Sequence, residues 1–358
     1  MKDMFNSARY RAIADSLAGL EPRFDAKRFL RLCLDGLKER ELMDRLRQTA
    51  VAFDATAPGT FREKTALLRR HAPSTGHSFI GIWPCEFVAR FGLDDAAFAL
   101  DALRDLTRHG SAEFAVRPFL VRDQPGTLAV MRGWADDADE HVRRLASEGC
   151  RPRLPWGLRL QALVVDPSPT LPILEALRAD PSLYVRKSVA NHLNDIAKDH
   201  PEVVLDIAER WERADARTAW IVKHGLRTLI KKGQPRALAL FGAGEKPRLD
   251  ALDFSCSPRR IRLGDTITLS ATLTGAGRKR QNLIVDYVVH YARAGERMSE
   301  KVFKWANLEL APGETATLTK RQTIRDFSTR KHHPGKHRVE LQVNGQRLAN
   351  DTFSILID

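Results

Sequence analysis

Glu113, Glu148 and Asp195 are carboxylates set in stretches otherwise dominated by arginine and lysine. A surface built only to attract phosphate gains nothing from them, because each acid repels what its neighbours attract. Stabilising a cation is a reason to keep them. The plainer reading makes them structural partners: Glu113 with Arg117 at i, i+4, Glu148 with Arg144 or His141, and Asp195 with Lys198 or Lys187. Trp156 likewise has two uses, as a packing plug or as an aromatic face for a base or a cation.

Something must present these residues together. Val-basic pairs begin at Val116, Val142, Val185 and Val222, separated by about 26, 43 and 37 residues, near the period of roughly 35–45 residues of HEAT-type helical repeats. The clearest copies, EHVRR at Glu140–Arg144 and LYVRK at Leu183–Lys187, each read as the inner helix of a stacked pair. On that helix Val142, Leu145 and Ala146 face the core, whereas His141, Arg144 and Glu148 share the exposed face. Lys187, Asn191, Asn194 and Lys198 form a second polar stripe, with Asp195 beside it. A concave array shows one row from every inner helix, so Arg117, Arg144, Lys187 and Lys198 could line one groove that tracks a phosphate backbone. The plain alternative is a solvated face.

The all-α region is expected over residues 1–245, with helical patterns through Arg28–Leu46, Leu93–Arg108, Thr127–Trp134 and Ser182–Lys198. Pro118 is expected to push Arg117 out of α geometry and end a helix just past Glu113. The two prolines of RPRLPW (Arg151–Trp156) predict a stiff, extended, basic segment delivering Trp156. After the linker Gly242–Pro247 the period changes to two. Ile267, Leu269, Ala271 and Leu273 alternate with polar residues, as do Val285, Tyr287, Val289 and Tyr291, and Val339, Leu341 and Val343 before an Asn344-Gly345 hairpin signal. About seven strands in roughly 110 residues indicate an immunoglobulin-like β-sandwich over residues 246–358. Its basic excess gathers in two loops, Arg278-Lys279-Arg280 and Arg330–Arg338, the latter including Lys331.

The chain has 358 residues, 43% of them hydrophobic, and a net charge of +13 with a pI of 9.8. It can bury a real core, and its positive field favours nucleic acid as a partner. No apolar run approaches the ~18 residues needed to span a bilayer, so no membrane partner and a cytoplasmic protein are expected; a monomer is expected too. Cys33, Cys85, Cys150 and Cys256 stand far apart with no zinc-ligand spacing, and read as buried thiols. His332, His333 and His337 sit in a basic loop that repels cations, so neither metal nor cofactor is expected.

SAEFAVRPFL (Ser111–Leu120), HVRRLASEGCRPRLPW (His141–Trp156) and YVRKSVANHLNDIAKDHP (Tyr184–Pro201) resemble the signature stretches of the AlkC family of alkylpurine DNA glycosylases, which are built of HEAT-like repeats. The resemblance runs over most of residues 61–241, and some members carry a C-terminal immunoglobulin-like domain. It implies removal of cationic alkylated bases, chiefly 3-methyladenine, from double-stranded DNA without extruding the base. It also puts the acidic motif residue on Glu113, a second acid on Glu148, the aromatic wall on Trp156, and Arg144 and Asp195 on the DNA-facing surface. Phe114, Arg117, Lys187, Asn191, Lys198 and the basic loops complete the expected DNA contacts. The chemistry is consistent: a carboxylate and a π-face near a sugar turning into an oxocarbenium ion lower the barrier, and a carboxylate can orient the attacking water. A non-catalytic repeat scaffold for protein or nucleic acid, including RNA, is the rival.

Overall fold

Helical spacing of apolar residues and well-placed caps build the first part of the chain, and strand alternation builds the last. The computed structural model describes residues 2–211, 215–293, 298–327 and 331–356. They divide into two compact units, Met1–Val204 with Arg210–Gly225, and Leu205–Glu209 with Leu226–Asp358.

The first unit is helical. The pattern expected as one helix over Arg28–Leu46 is two, Ala26–Leu34 and Leu42–Asp54, because Gly36 takes a left-handed φ of 58° between them. Pro118 does not break a helix either: it occupies the first turn of Arg117–Arg122, as Pro84 does in Trp83–Phe91, where a missing N–H costs nothing.

The repeat is real in the packing. Helices Glu140–Glu148, Leu183–Ile196 and Ala216–Gly225 pack in series, and their Val142, Val185 and Val222 are all buried. Asp139 and Ser182 cap the first two in the same way, accepting from the backbone N–H two residues on. The first basic residue of each motif is structural: Arg143 Nη1 donates to the carbonyls of Asp137 and Ala138, and Arg186 Nη1 to those of Asp180 and Pro181. Each thereby closes the turn that leads into its own helix. Acidic partners tie one repeat to the next, with Arg69 on Asp101 at 2.6 Å, Arg104 on Asp137, and Arg143 on Asp180 at 2.7 Å.

The second unit is the expected sandwich. Among the described residues it has eight strands: β1 (Leu249–Ser257), β2 (Arg260–Arg262), β3 (Thr266–Gly275), β4 (Gln281–Ala292), β5 (Met298–Leu310), β6 (Thr315–Thr323), β7 (Gly335–Val343) and β8 (Gln346–Leu356). A sheet of order β1-β3-β6 faces one of order β2-β8-β7-β4-β5, and only β2 pairs in parallel. The inward residues are those that the alternation picks out on β3, β4 and β7. Asn344 and Gly345, both at positive φ, form the two-residue hairpin between β7 and β8. Gly345 also lies so close to Gly233 that a Cβ on Gly233 would stand 2.7 Å from its Cα. The short helices Arg227–Lys231 and Pro235–Ala239 belong to this unit, where Leu238 and Ala243 pack on Ile284.

All four cysteines are buried and unpaired. Among the described residues no helix is long and apolar enough to cross a membrane.

Candidate active site

Glu113 sits at the start of a turn, residues 113–116, that leads into the helix Arg117–Arg122. It therefore has no i, i+4 geometry with Arg117. Its Oε2 instead accepts from Ser111 Oγ at 2.8 Å and from Arg144 Nη1 at 2.7 Å. Among the described residues its Oε1 accepts nothing. Phe114 is half-buried in the same turn.

Arg144 links this acid to a chain of alternating charge. Its Nη2 lies 3.6 Å from Glu148 Oε1, which also accepts from Arg151 Nη1 at 2.5 Å. Arg151 Nη2 reaches Asp195 Oδ2 at 2.7 Å, and Asp195 Oδ1 accepts from Lys198 Nζ at 2.8 Å. Ser188 Oγ donates to the remaining oxygen of Glu148 at 2.6 Å. Burial alone would lower both guanidinium pKa values, but the carboxylates on either side outweigh it and hold Arg144 and Arg151 raised. Three acids and three bases thus alternate from Glu113 to Lys198.

Two expectations about this chain need correcting. Glu148 is 5% exposed and Asp195 is also buried, so neither stands on an open helix face, because the segment after Glu148 folds Arg151 over both. Arg151 itself falls in the stretch expected to be only a linker, although its i, i+3 spacing from Glu148 is a usable signal. Lys187 is exposed, Asn191 half-buried, and Lys198 exposed although paired.

Arg117 is the third correction. It is 0% exposed and lines no groove, because the turn at residues 113–116 points it inward. Nε donates to Leu158 O at 2.5 Å and Nη1 to Gly149 O at 2.9 Å, while Nη2 has no partner among the described residues. Burial brings its pKa down to about 10.

The segment expected to be extended is coiled into turns. Gly157 N donates to Leu154 O at 3.1 Å, Leu160 N to Pro152 O at 3.2 Å, and Trp156 holds a left-handed φ of 62°. That conformation is uncommon for a bulky side chain and persists only when its surroundings enforce it. Trp156 is 61% exposed, and the edge-to-face contact of its ring with Phe79 spans 6.4 Å between centroids. With the side chain this exposed, Trp156 does not serve as a packing plug.

An aromatic group to which the sequence gives no clue flanks the acids. Arg144 Cζ lies 4.7 Å over the Tyr184 ring, and His141 stands 4.1 Å from His77 and 5.4 Å from Tyr184. Burial and then the His77 charge depress the His141 pKa. In the second unit, Arg278, Lys279 and Arg280 are exposed and, with Lys246 and Arg248, line a cleft of about 1070 Å³. Lys331 is exposed as well, whereas Arg330 lies outside the described residues. His337 is buried and stacks on Phe353.

A stack of helical repeats that carries ion-paired acids and an exposed tryptophan is the framework of a DNA alkylation repair enzyme: residues 107–229 match the family of that description, and residues 250–357 match the one described as "Uncharacterised protein YhaZ, C-terminal Ig-like domain". The chain is similar to the protein YhaZ of Bacillus subtilis (strain 168), 39% identical over 347 residues that cover 97% of this chain and 96% of that one. It is also similar to Pseudomonas fluorescens alkylpurine DNA glycosylase AlkC, solved bound to DNA containing an abasic site analog, with a TM-score of 0.95, 44% identity and 99% of each chain covered. The chain belongs to the AlkC family of alkylpurine DNA glycosylases.

Proposed function

We propose that this enzyme hydrolyses the N-glycosidic bond of cationic alkylated purines of the 3-methyladenine type in duplex DNA, acting as a monofunctional, monomeric glycosylase that leaves the base in the stack. One observation carries the assignment of roles. Glu148 and Asp195 have both oxygens engaged, whereas Glu113 has Oε2 fixed and, among the described residues, Oε1 free. Only Glu113 is therefore ready to accept a hydrogen bond from water and to face a sugar that is becoming positive.

Water attacks C1′, the glycosidic electron pair leaves with the base, which becomes neutral, and the proton of the water passes to the Glu113 carboxylate. The Trp156 face supplies cation–π stabilisation to the departing base or the oxocarbenium ion. Because all three acids are balanced by Arg144, Arg151 and Lys198, the site offers no strong general attraction for cations. Its selectivity comes from one oriented carboxylate and one π-face. In this scheme Lys198 Nζ stays on Asp195 Oδ1 and forms no Schiff base, so the product is an abasic site and not a nicked strand. Recognising charge in place also avoids the unstacking cost of a few kcal/mol that base-extruding enzymes meet.

The test is release of free base from methylated duplex DNA by purified protein. 3-Methyladenine should appear and hypoxanthine, a neutral lesion, should stay; equal release of both would overturn the reading, and binding without release would point to the scaffold.

The second unit binds phosphates through Arg278, Lys279 and Arg280 in the same reading. Because Leu238 and Ala243 pack on Ile284, removing residues 248–358 would expose apolar surface, so substitution is the cleaner probe. Replacing all three basic residues by serine should flatten the slope of log affinity against log salt by about 1 for each phosphate that is no longer neutralised, up to about 3. An unchanged slope would remove this unit from the DNA-binding surface.

A further inference from the structure

Arg117 has no place in the chemistry above, yet it is a large cation taken wholly out of water. A buried charge without a carboxylate in direct contact is costly, and an apolar side chain of the same volume would be easier to accommodate. What the guanidinium does is join two backbone segments. Nη1 holds the carbonyl of Gly149, the residue that ends the helix carrying Arg144 and Glu148, and Nε holds the carbonyl of Leu158, two residues past Trp156. Between these anchors the chain makes the turn in which Trp156 stands at φ 62°. The turn's own bonds, Gly157 N to Leu154 O and Leu160 N to Pro152 O, span only the turn itself, so without an anchor to the helix the turn can open and expose both amides.

Arg117 also begins the helix that follows the Glu113 turn. The same residue is therefore continuous in chain with Glu113, bonded to the end of the Glu148 helix, and bonded to the Trp156 turn. We infer that Arg117 is a positioning residue: its planar fork fixes the distance between the Trp156 ring and the carboxylate of Glu113. The planar guanidinium suits this role, since two donors at a set angle specify two carbonyls at once, which a lysine ammonium does less well. The rate consequence rests on the glycosylase reading, but the effect on the turn does not.

Two measurements on Arg117→Met separate these. In the free protein, hydrogen exchange should show the amides of Gly157 and Leu160 losing protection while helix Leu183–Ile196 keeps its own. In single-turnover base release from methylated duplex DNA, the rate should fall roughly 10- to 100-fold, the range that follows from a misplacement of about 1 Å, with affinity within about threefold of the parent. The melting temperature should change little, because removing a desolvated charge offsets the hydrogen bonds lost at Gly149 O and Leu158 O. Arg117→Lys should recover part of the rate. Unchanged protection at Gly157 and Leu160 would overturn the inference. So would a rate loss matched by general loss of protection, since that marks a merely structural residue. Absence of base release from the parent would instead defeat the glycosylase reading and leave the exchange arm intact.

Discussion

Glu113→Gln should release 3-methyladenine roughly 10²- to 10³-fold more slowly than the parent in single turnover, with DNA affinity nearly unchanged. The magnitude is that of removing one preorganised electrostatic group from a site where charge develops. The geometry sharpens the expectation. Ser111 Oγ and Arg144 Nη1 both donate to Oε2, so a glutamine will turn its carbonyl oxygen toward them and its NH2 group toward the place that Oε1 occupied. The substitution replaces a negative acceptor by positive hydrogens facing the sugar, and a water held there would be oriented by its oxygen instead of its proton. Arg144 keeps Glu148 as a partner at 3.6 Å and stays over Tyr184, so the surface beside the site should be preserved. Parental rates would show that Glu113 is a structural acid. A loss of affinity equal to the loss of rate would make it a binding residue.

The sequence carries some of this site and hides the rest, for reasons that lie in particular residues. The sandwich is readable because a strand's burial is local: Ile267, Leu269, Ala271 and Leu273 alternate with polar residues, and all four face the core. The helical stack is readable because Val142 and Val185 recur in the same motif, and each motif's arginine makes the same two carbonyl bonds. Exposure on those helices is not readable. A helical wheel shows which face looks away from its own core, but not that Arg151 folds back over Glu148 and Asp195. The expected place of Arg117 fails through Pro118, which reads as a helix breaker although the first turn tolerates it. The left-handed turn is not marked at its own position, since Trp156 is neither glycine nor asparagine, although Pro155 and Gly157 flank it.

Glu148→Gln tests the opposite kind of acid, one whose oxygens are spoken for. Glutamine keeps the shape and can still accept from Arg151 and meet the Ser188 hydroxyl, so the change removes charge far more than hydrogen bonding. What remains is Arg144 and Arg151, both largely shielded from water, with only Glu113 and Asp195 to balance them and Lys198. Uncompensated buried charge of this kind costs about 3 kcal/mol, or a fall of roughly 6–12 °C in melting temperature for a unit of about this size. As a control, Asp44→Asn breaks the exposed pair with Arg47, where both side chains are about half accessible, and should move stability by less than about 1 kcal/mol. Adding Arg151→Gln to Glu148→Gln should restore part of the loss, because the two buried charges are then removed together. If Glu148→Gln melts with the parent, the alternating chain is not what holds these helices, and any drop in base release must then come from direct contact of Glu148 with the reacting nucleotide. If the double variant is as stable as the parent but still inactive, charge balance and catalysis are separable at this position, and Glu148 acts in the reaction by keeping Arg144 on Glu113.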